Sequence, residues 1–127
     1  MKMVSFSLIA LLFGLAELVA SPPALAAKTD IETVNHSNYR AWITIQDLGK
    51  TRNLDWGFVD PKRSRAWRAG NYVLGSLYYV RFQFQDHNGK DVCDTRGQVY
   101  MRNEFGITVD GYYDPGTRRC YVNQPRP

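Results

Sequence analysis

The sequence predicts an all-β fold: a single small antiparallel β-sandwich or barrel-like domain with one disulfide. Short segments in which apolar and polar residues alternate recur along the chain, which is typical of half-buried strands. Turn-forming residues separate these segments roughly every 8 to 12 residues, and no window after residue 27 shows a helical period. About 100 residues follow the N-terminal segment, enough for one hydrophobic core.

Residues 1–26 are predicted to be a signal peptide. Lys2 gives a positive start, residues 4–16 form an apolar run, and Ala24 and Ala26 place small side chains where signal peptidase needs them. The apolar run is shorter than the roughly 20 residues that cross a bilayer as a helix, and no other stretch suits a transmembrane segment. The predicted mature domain is therefore residues 27–127, in a periplasmic or secreted protein.

The clearest strand is residues 78–85, in which apolar and polar side chains alternate four times, and we predict that it is central. Asn88-Gly89 then predicts a hairpin that returns through Val92 to Cys93, because this pair tolerates positive φ angles. Residues 94–97 are predicted to turn before a short strand at residues 99–101. Residues 107–112 and 118–123 are predicted strands joined by the turn at residues 114–117.

The first half of the mature chain has two further alternating segments, residues 39–46 and 54–58. Residues 28–34 are predicted to be a short edge strand or a loose arm, and residues 62–70 a surface segment. Gly75-Ser76 is predicted to be a bulge or bend that lets one strand continue. Asn35-His36-Ser37 matches the N-glycosylation pattern, which matters only where the source glycosylates exported proteins, and a chance match is the alternative.

Cys93 and Cys120 are the only cysteines, so one disulfide is predicted in an oxidising compartment. Closing the loop of residues 93–120 should stabilise the fold by roughly 3 to 4 kcal/mol. The two histidines, His36 and His87, occupy separate turns with no third ligand at a recognisable spacing, so no metal site and no cofactor are predicted.

The sequence shows no compact set of nucleophile, base and acid, and we predict no catalytic residues. His87 beside Asp86 could be an oriented general base, but both are ordinary residues of a hairpin turn. A small ribonuclease would need His36 or His87 together with Glu104 and several arginines, and their spacing does not support that arrangement.

Residues 62–68 are the first candidate binding surface, because they mix basic and aromatic side chains. The predicted contact residues are Lys62, Arg63, Arg65, Trp67 and Arg68. In an extended segment Arg63, Arg65 and Trp67 share one side, where guanidinium groups and an indole suit an anionic partner. The alternative is that Trp67 lies in the core and the arginines only solvate a loop.

Trp42 and Tyr79 are the second candidate, because alternation places each on the polar face of its strand. If the two strands are neighbours, Trp42, Tyr79, Arg81 and Gln83 form an aromatic and polar platform that suits sugar rings or a partner protein. The alternative is that both strands are buried on both faces.

Charge and composition leave three classes of function. We predict an exported binding module without catalytic activity, whose partner is a protein or a glycan. The alternative is a binder of membrane surfaces or anionic polymers, because the mature chain has net charge +4 with eleven Arg and four Lys. A GC-rich genome that favours Arg codons would give the same bias. A small secreted hydrolase is the third class, and no specific nucleic-acid partner is predicted.

Overall fold

The computed structural model describes residues 28–102 and 104–124, so the predicted signal peptide lies outside the described residues. The described chain is all-β and forms eight strands. Their bounds are β1 Lys28–Asn35, β2 Arg40–Asp47, β3 Asn53–Val59, β4 Ser64–Val73, β5 Leu77–Gln85, β6 Asp91–Tyr100, β7 Ile107–Asp114 and β8 Arg119–Asn123. None of the described residues forms a helix long and apolar enough to cross a membrane.

The strands form two four-stranded sheets that face each other. The first sheet has the order β4-β1-β7-β8 and the second the order β3-β2-β5-β6. Every pairing is antiparallel except that of β1 with β7, which is parallel. The predicted sandwich is therefore confirmed, with one parallel pair that an antiparallel prediction did not include. Strand β5 is interior to its sheet, as predicted.

The core lies between the sheets and is built from the inward residue of each alternating pair. Its fully buried members include Ile31, Ala41, Ile43, Ile45, Val80, Phe82, Phe84, Val99, Met101 and Val109. The ring of Phe82 lies directly on the backbone of Gly111 in the opposite sheet, where any Cβ would clash with it. A glycine at that position lets the two sheets approach.

The edge strands of the two sheets are connected to each other on both sides of the sandwich. On one side the Cys93–Cys120 disulfide joins β6 to β8, which confirms the predicted pairing. On the other side the buried carboxylate of Asp55 in β3 accepts hydrogen bonds from the Tyr72 hydroxyl, at 2.6 Å, and from the Gly70 amide. Burial and this hydrogen bond raise the pKa of Tyr72. The disulfide indicates an oxidising compartment.

Asn35 connects the ends of three segments from inside the fold. Its fully buried side chain donates to the carbonyl oxygens of Tyr39, Val59 and Asp60 at 2.7, 3.1 and 3.3 Å. Its Oδ1 accepts from the amide and the hydroxyl of Ser37. An amide with these partners is not accessible in the folded protein, so Asn35 has a structural role despite its glycosylation pattern.

Four local predictions differ from the structure. Strand β1 is neither an edge strand nor an arm, because it lies between β4 and β7. Residues 64–70, predicted to be part of a surface segment, belong to strand β4, and β6 runs without a turn through residues 94–97. Gly75-Ser76 is a turn between sheets, with Gly75 at φ +88°, and does not continue a strand.

Candidate functional site

The outer face of the second sheet carries most of the candidate site. Because directly opposed residues of neighbouring strands point to the same side, the register fixes which side chains meet there. We call the following set the platform: Arg40, Trp42, Thr44, Trp56, Phe58, Tyr79, Arg81, Gln83, Asp94, Arg96 and Gln98. Strands β2 and β5 are neighbours, as the platform interpretation of Trp42 and Tyr79 required.

Three side chains at one corner of the platform form a packed cluster. The rings of Trp42 and Phe58 meet edge to face with centroids 4.7 Å apart. The guanidinium carbon of Arg40 lies 3.6 Å from the centroid of the Phe58 ring, and its Nε is 3.5 Å from Asp60. The half-buried Trp42 ring is thus packed against Phe58, and Arg40 packs on the ring of Phe58 in turn.

Trp56 is the most exposed aromatic side chain of the platform, at 55%. It lies on the edge strand β3 directly opposite Thr44, and Thr44 is itself opposite Arg81 on β5. The side chain of Thr44 is small and buried, 7% exposed, and lies between the larger side chains of Trp56 and Arg81. An indole with this exposure offers an apolar ring face to a ligand.

The polar half of the platform is held in place by hydrogen bonds within the face. Arg81 donates from Nε and from one terminal nitrogen to the two oxygens of Asp94, at 2.9 and 2.6 Å. This guanidinium holds the pKa of Asp94 below its usual range. Gln83 and Gln85 each donate to one oxygen of Asp91. The planar groups are therefore positioned before any ligand arrives.

Tyr79 lies toward the other end of the platform, opposite Gln98. Its ring is half-buried, and the Nζ of Lys50 lies 4.7 Å from its centroid. The predicted residues Trp42 and Tyr79 therefore lie on one face. Gln83, directly opposite Trp42, and then Arg81 lie between them along β5.

A cleft of about 920 Å³ opens at the end of the sandwich next to the Trp42 corner. Its lining comes from three turns and includes Tyr39, Arg40, Pro61, Gln85 and His87. Arg40 of the platform and Gln85, which lies directly opposite it on β5, both line the cleft. The outer face of the second sheet therefore continues into the cleft. Asp86 also lines it, but backbone hydrogen bonds from the turn, chiefly from Lys90, lower the pKa of this carboxyl.

The segment of residues 62–68 does not form one surface. Trp67 is 2% exposed, and its indole nitrogen donates to Thr33 at 2.8 Å, so it lies in the core as the alternative interpretation held. Arg65 is on the same side of the strand as predicted, but its guanidinium carbon lies 4.2 Å from the centroid of the Trp67 ring and its nitrogen donates to the Phe58 carbonyl. Arg65 therefore covers the core residue.

The other basic residues of this segment separate from one another. Arg68 pairs with Asp30 at 2.9 Å on the outer face of the first sheet. Lys62 lies in the β3–β4 turn with φ 63° and donates to the carbonyl of His36. Arg63 follows it, is exposed, and its guanidinium has no hydrogen-bond or ion-pair partner among residues 28–102 and 104–124.

The two histidines occupy different environments. His87 is exposed in the β5–β6 turn, where the Gly89 amide donates to the Asp86 carbonyl, as the hairpin interpretation expected. His36 Nε2 lies 2.7 Å from an oxygen of Asp110, and the imidazole stacks on Tyr112 with centroids 4.6 Å apart. The described residues contain no group of three His, Cys, Asp or Glu side chains able to hold a metal ion.

Sequence reasoning missed the outward position of Trp56 and Phe58. Alternation in the predicted segment 54–58 places Trp56 and Phe58 on one face, but does not show that this face is the outer one. The residues that alternate with them, Asp55, Gly57 and Val59, were the available signal. Gly57 and Val59 face the core, which leaves Trp56 and Phe58 on the outer face. A Cβ at Gly57 would lie 2.5 Å from a terminal nitrogen of Arg65 and 3.2 Å from the Trp67 ring, so Arg65 would have to move to admit one.

No protein-family model matches the chain, and no curated protein matches it. Among solved structures the chain is similar to the NMR structure of a protein from Eubacterium rectale, with 11% sequence identity. The match covers 85% of this chain and 97% of that chain, with a TM-score of 0.49.

Proposed function

We propose that the protein is an exported, non-catalytic module that binds a glycan through the platform. One observation carries the proposal: Trp42, Trp56 and Phe58 lie beside a row of amide and guanidinium groups on one sheet face. The disulfide supports export to an oxidising compartment, and the predicted signal peptide at residues 1–26 gives the route, to the periplasm or the outside.

A sugar ring has an apolar C–H face and a polar rim of hydroxyl groups. The exposed indole of Trp56 suits the C–H face, because stacking removes apolar surface of both partners from water at about 25 cal/mol per Å². The exposed amide of Gln98 suits the rim, because it presents one donor and one acceptor to adjacent hydroxyls, and the Oε1 of Gln83 adds an acceptor. Strand β2 lies between Trp56 on β3 and Gln83 on β5, and Gln98 follows on β6, so the two kinds of group lie on different strands of one sheet face.

Preorganisation supports the same conclusion. Arg81 is held by both oxygens of Asp94, and the Trp42 ring packs edge to face on Phe58, so few side chains must be ordered when a ligand binds. Ordering a long side chain costs about 0.5 to 1.5 kcal/mol, so a platform that is already fixed retains more of its contact energy.

The polarity of the platform favours a glycan over a protein partner. The centre of a protein interface is depleted of charged residues and built from packed apolar groups. Here the two central strands present Thr44, Gln46, Arg81, Gln83 and Gln85 between the aromatic residues. Such a mixed face binds a hydroxyl-rich ligand more readily than an apolar one.

A glycan array followed by calorimetry on the bound oligosaccharide tests the proposal. Trp56→Ala should weaken binding about tenfold or more while leaving the melting temperature nearly unchanged, because an exposed anchor residue contributes to affinity rather than to the core. Tyr121→Ala is the matched control, since Tyr121 is 57% exposed on the outer face of the first sheet. Absence of binding to every saccharide, or equal affinity of wild type and Trp56→Ala, would refute the proposal.

A further inference from the structure

The polar half of the platform contains an unfavourable pair of like charges. Arg81 of β5 and Arg96 of β6 are directly opposed across the two antiparallel strands. Like charges in that position destabilise a sheet, whereas opposite charges stabilise it. Both residues lie on the outer face, where the fold does not require a basic side chain.

The neighbouring carboxylate relieves only one of the two arginines. Asp94 gives both of its oxygens to Arg81, through Nε and a terminal nitrogen. Arg96 adds a Coulombic contribution that helps to lower the pKa of Asp94, yet its guanidinium forms no hydrogen bond or ion pair within the described part of the chain. Arg96 thus presents an exposed fork of donors beside a fixed Arg81–Asp94 pair.

Further cations lie on aromatic rings near the same strands. Lys50 lies over Tyr79, and Arg102 lies over Tyr100 with its guanidinium carbon 5.7 Å from the ring centroid. Neither cation forms an ion pair with a carboxylate of the described residues. By contrast, the carboxylates of this face are engaged: Asp94 with Arg81, and Asp91 with two glutamine side chains. Among the described residues named here, three cations lack an ion-pair partner (Lys50, Arg96 and Arg102) against one carboxylate, Asp91, so the net unpaired charge of this group is positive.

We infer that the ligand of the platform is an acidic saccharide bearing uronic-acid carboxylates, and that Arg96 binds one of these carboxylates. The inference rests on the proposed function and specifies its ligand class. An Arg fork binds a carboxylate through two parallel hydrogen bonds, which are stronger than neutral ones. Trp56 and Arg96 are separated by three strand spacings, about 14 Å, so the ligand extends over more than one sugar ring.

The experiment uses an array in which each uronic-acid oligosaccharide is printed beside its methyl ester, which keeps the sugar backbone and removes the charge. We expect the wild-type protein to bind at least one acidic probe about tenfold or more tightly than its ester, with affinity falling as salt rises. Arg96→Gln should remove this difference. Arg119→Gln makes the same charge change on the exposed β8 strand of the opposite sheet and should leave the difference intact.

The outcomes separate this inference from the proposed function. Equal binding of acids and esters, or an undiminished preference for acids in Arg96→Gln, overturns the acidic ligand. In that case loss of binding in Trp56→Ala still supports a glycan module with a neutral ligand. Failure of wild type to bind any saccharide overturns both the inference and the proposed function. The inference is also overturned if Arg96→Gln and Arg119→Gln reduce the preference for acids over esters equally. Such a result would show that the preference depends on the net charge of the protein and not on Arg96.

Discussion

The substitution Asn35→Asp changes one buried NH₂ group to an oxygen of nearly the same size. In the native protein that NH₂ group donates to the carbonyl oxygens of Tyr39, Val59 and Asp60. A carboxylate would set a negative oxygen against three carbonyl oxygens, and the site is fully buried. We expect the variant to take up a proton in the folded state, because an uncompensated buried charge is more costly.

The binding of that proton determines most of the loss in the free energy of unfolding. An unfolded Asp has a pKa of about 3.9, so holding the proton at pH 7 costs about 4 kcal/mol. The protonated carboxyl has one donor where the amide had two, which costs a further 1 to 3 kcal/mol or so. The two hydrogen bonds from Ser37 to the retained oxygen favour the ionised form and offset part of this. The two costs sum to about 5 to 7 kcal/mol, and with an offset of about 1 to 2 kcal/mol the expected loss at pH 7 is about 3 to 6 kcal/mol.

The same reasoning fixes the sign of the pH dependence. Because the pKa of the introduced carboxyl is higher in the folded state than in the unfolded one, the folded variant binds more protons between those values, and its stability falls as pH rises. Urea unfolding at pH 4 and pH 7 should therefore show a loss of about 1 to 3 kcal/mol at pH 4 that grows by up to about 1.4 kcal/mol per pH unit. Asn38→Asp, at an exposed position of the same turn, is the control. A loss of stability in Asn35→Asp that is independent of pH, or equal to the loss in Asn38→Asp, would refute this reasoning.

Other perturbations test the core, the disulfide and the platform. Changing Cys93 or Cys120 to Ser should lower the free energy of unfolding by about 2 to 5 kcal/mol, and free-thiol titration of the native wild type should find no reactive thiol. Trp67→Ala should cost about 3 to 5 kcal/mol in chemical unfolding, since the indole is buried; near-native stability would show that it does not support the core. The carboxyl of Asp94 should titrate below its ordinary pKa, so its stabilising contribution is present above that pKa and is lost as pH falls through the folded one. NMR titration should show its pKa rising in Arg81→Gln, and an unchanged value would contradict the assigned cause.

The alternating segments explain what the sequence could predict. Residues 39–46 and 78–85 follow a strict period of two, and both became strands at nearly the expected bounds. The turns at residues 86–90 and 114–117 follow from local chemistry, since Asp, Asn, Pro and Gly adopt turn geometry without help from distant residues. The disulfide followed from having two cysteines in a small domain predicted to be exported.

The predictions that failed depended on distant partners. The run 62–68 is rich in charge, and only the position of Thr33 and the Phe58 carbonyl explains why Trp67 is buried and Arg65 covers it. Strand β1 has few apolar residues, so its interior position depends on pairing with both β4 and β7. Alternation also shows that Trp42 faces away from its apolar neighbours, but only the register reveals which side chains surround it.

The parallel pairing of β1 with β7 affects how the protein can fold as it is made. Ile31 pairs with Ile107, so one hydrogen-bonding edge of the first strand cannot be satisfied until most of the chain is available. The β2–β3 and β5–β6 hairpins can form from local contacts much earlier. We therefore expect closing of the first sheet to be the slow, non-local step, on the millisecond-to-second scale of such topologies, and until then β1 exposes an edge on which chains can aggregate.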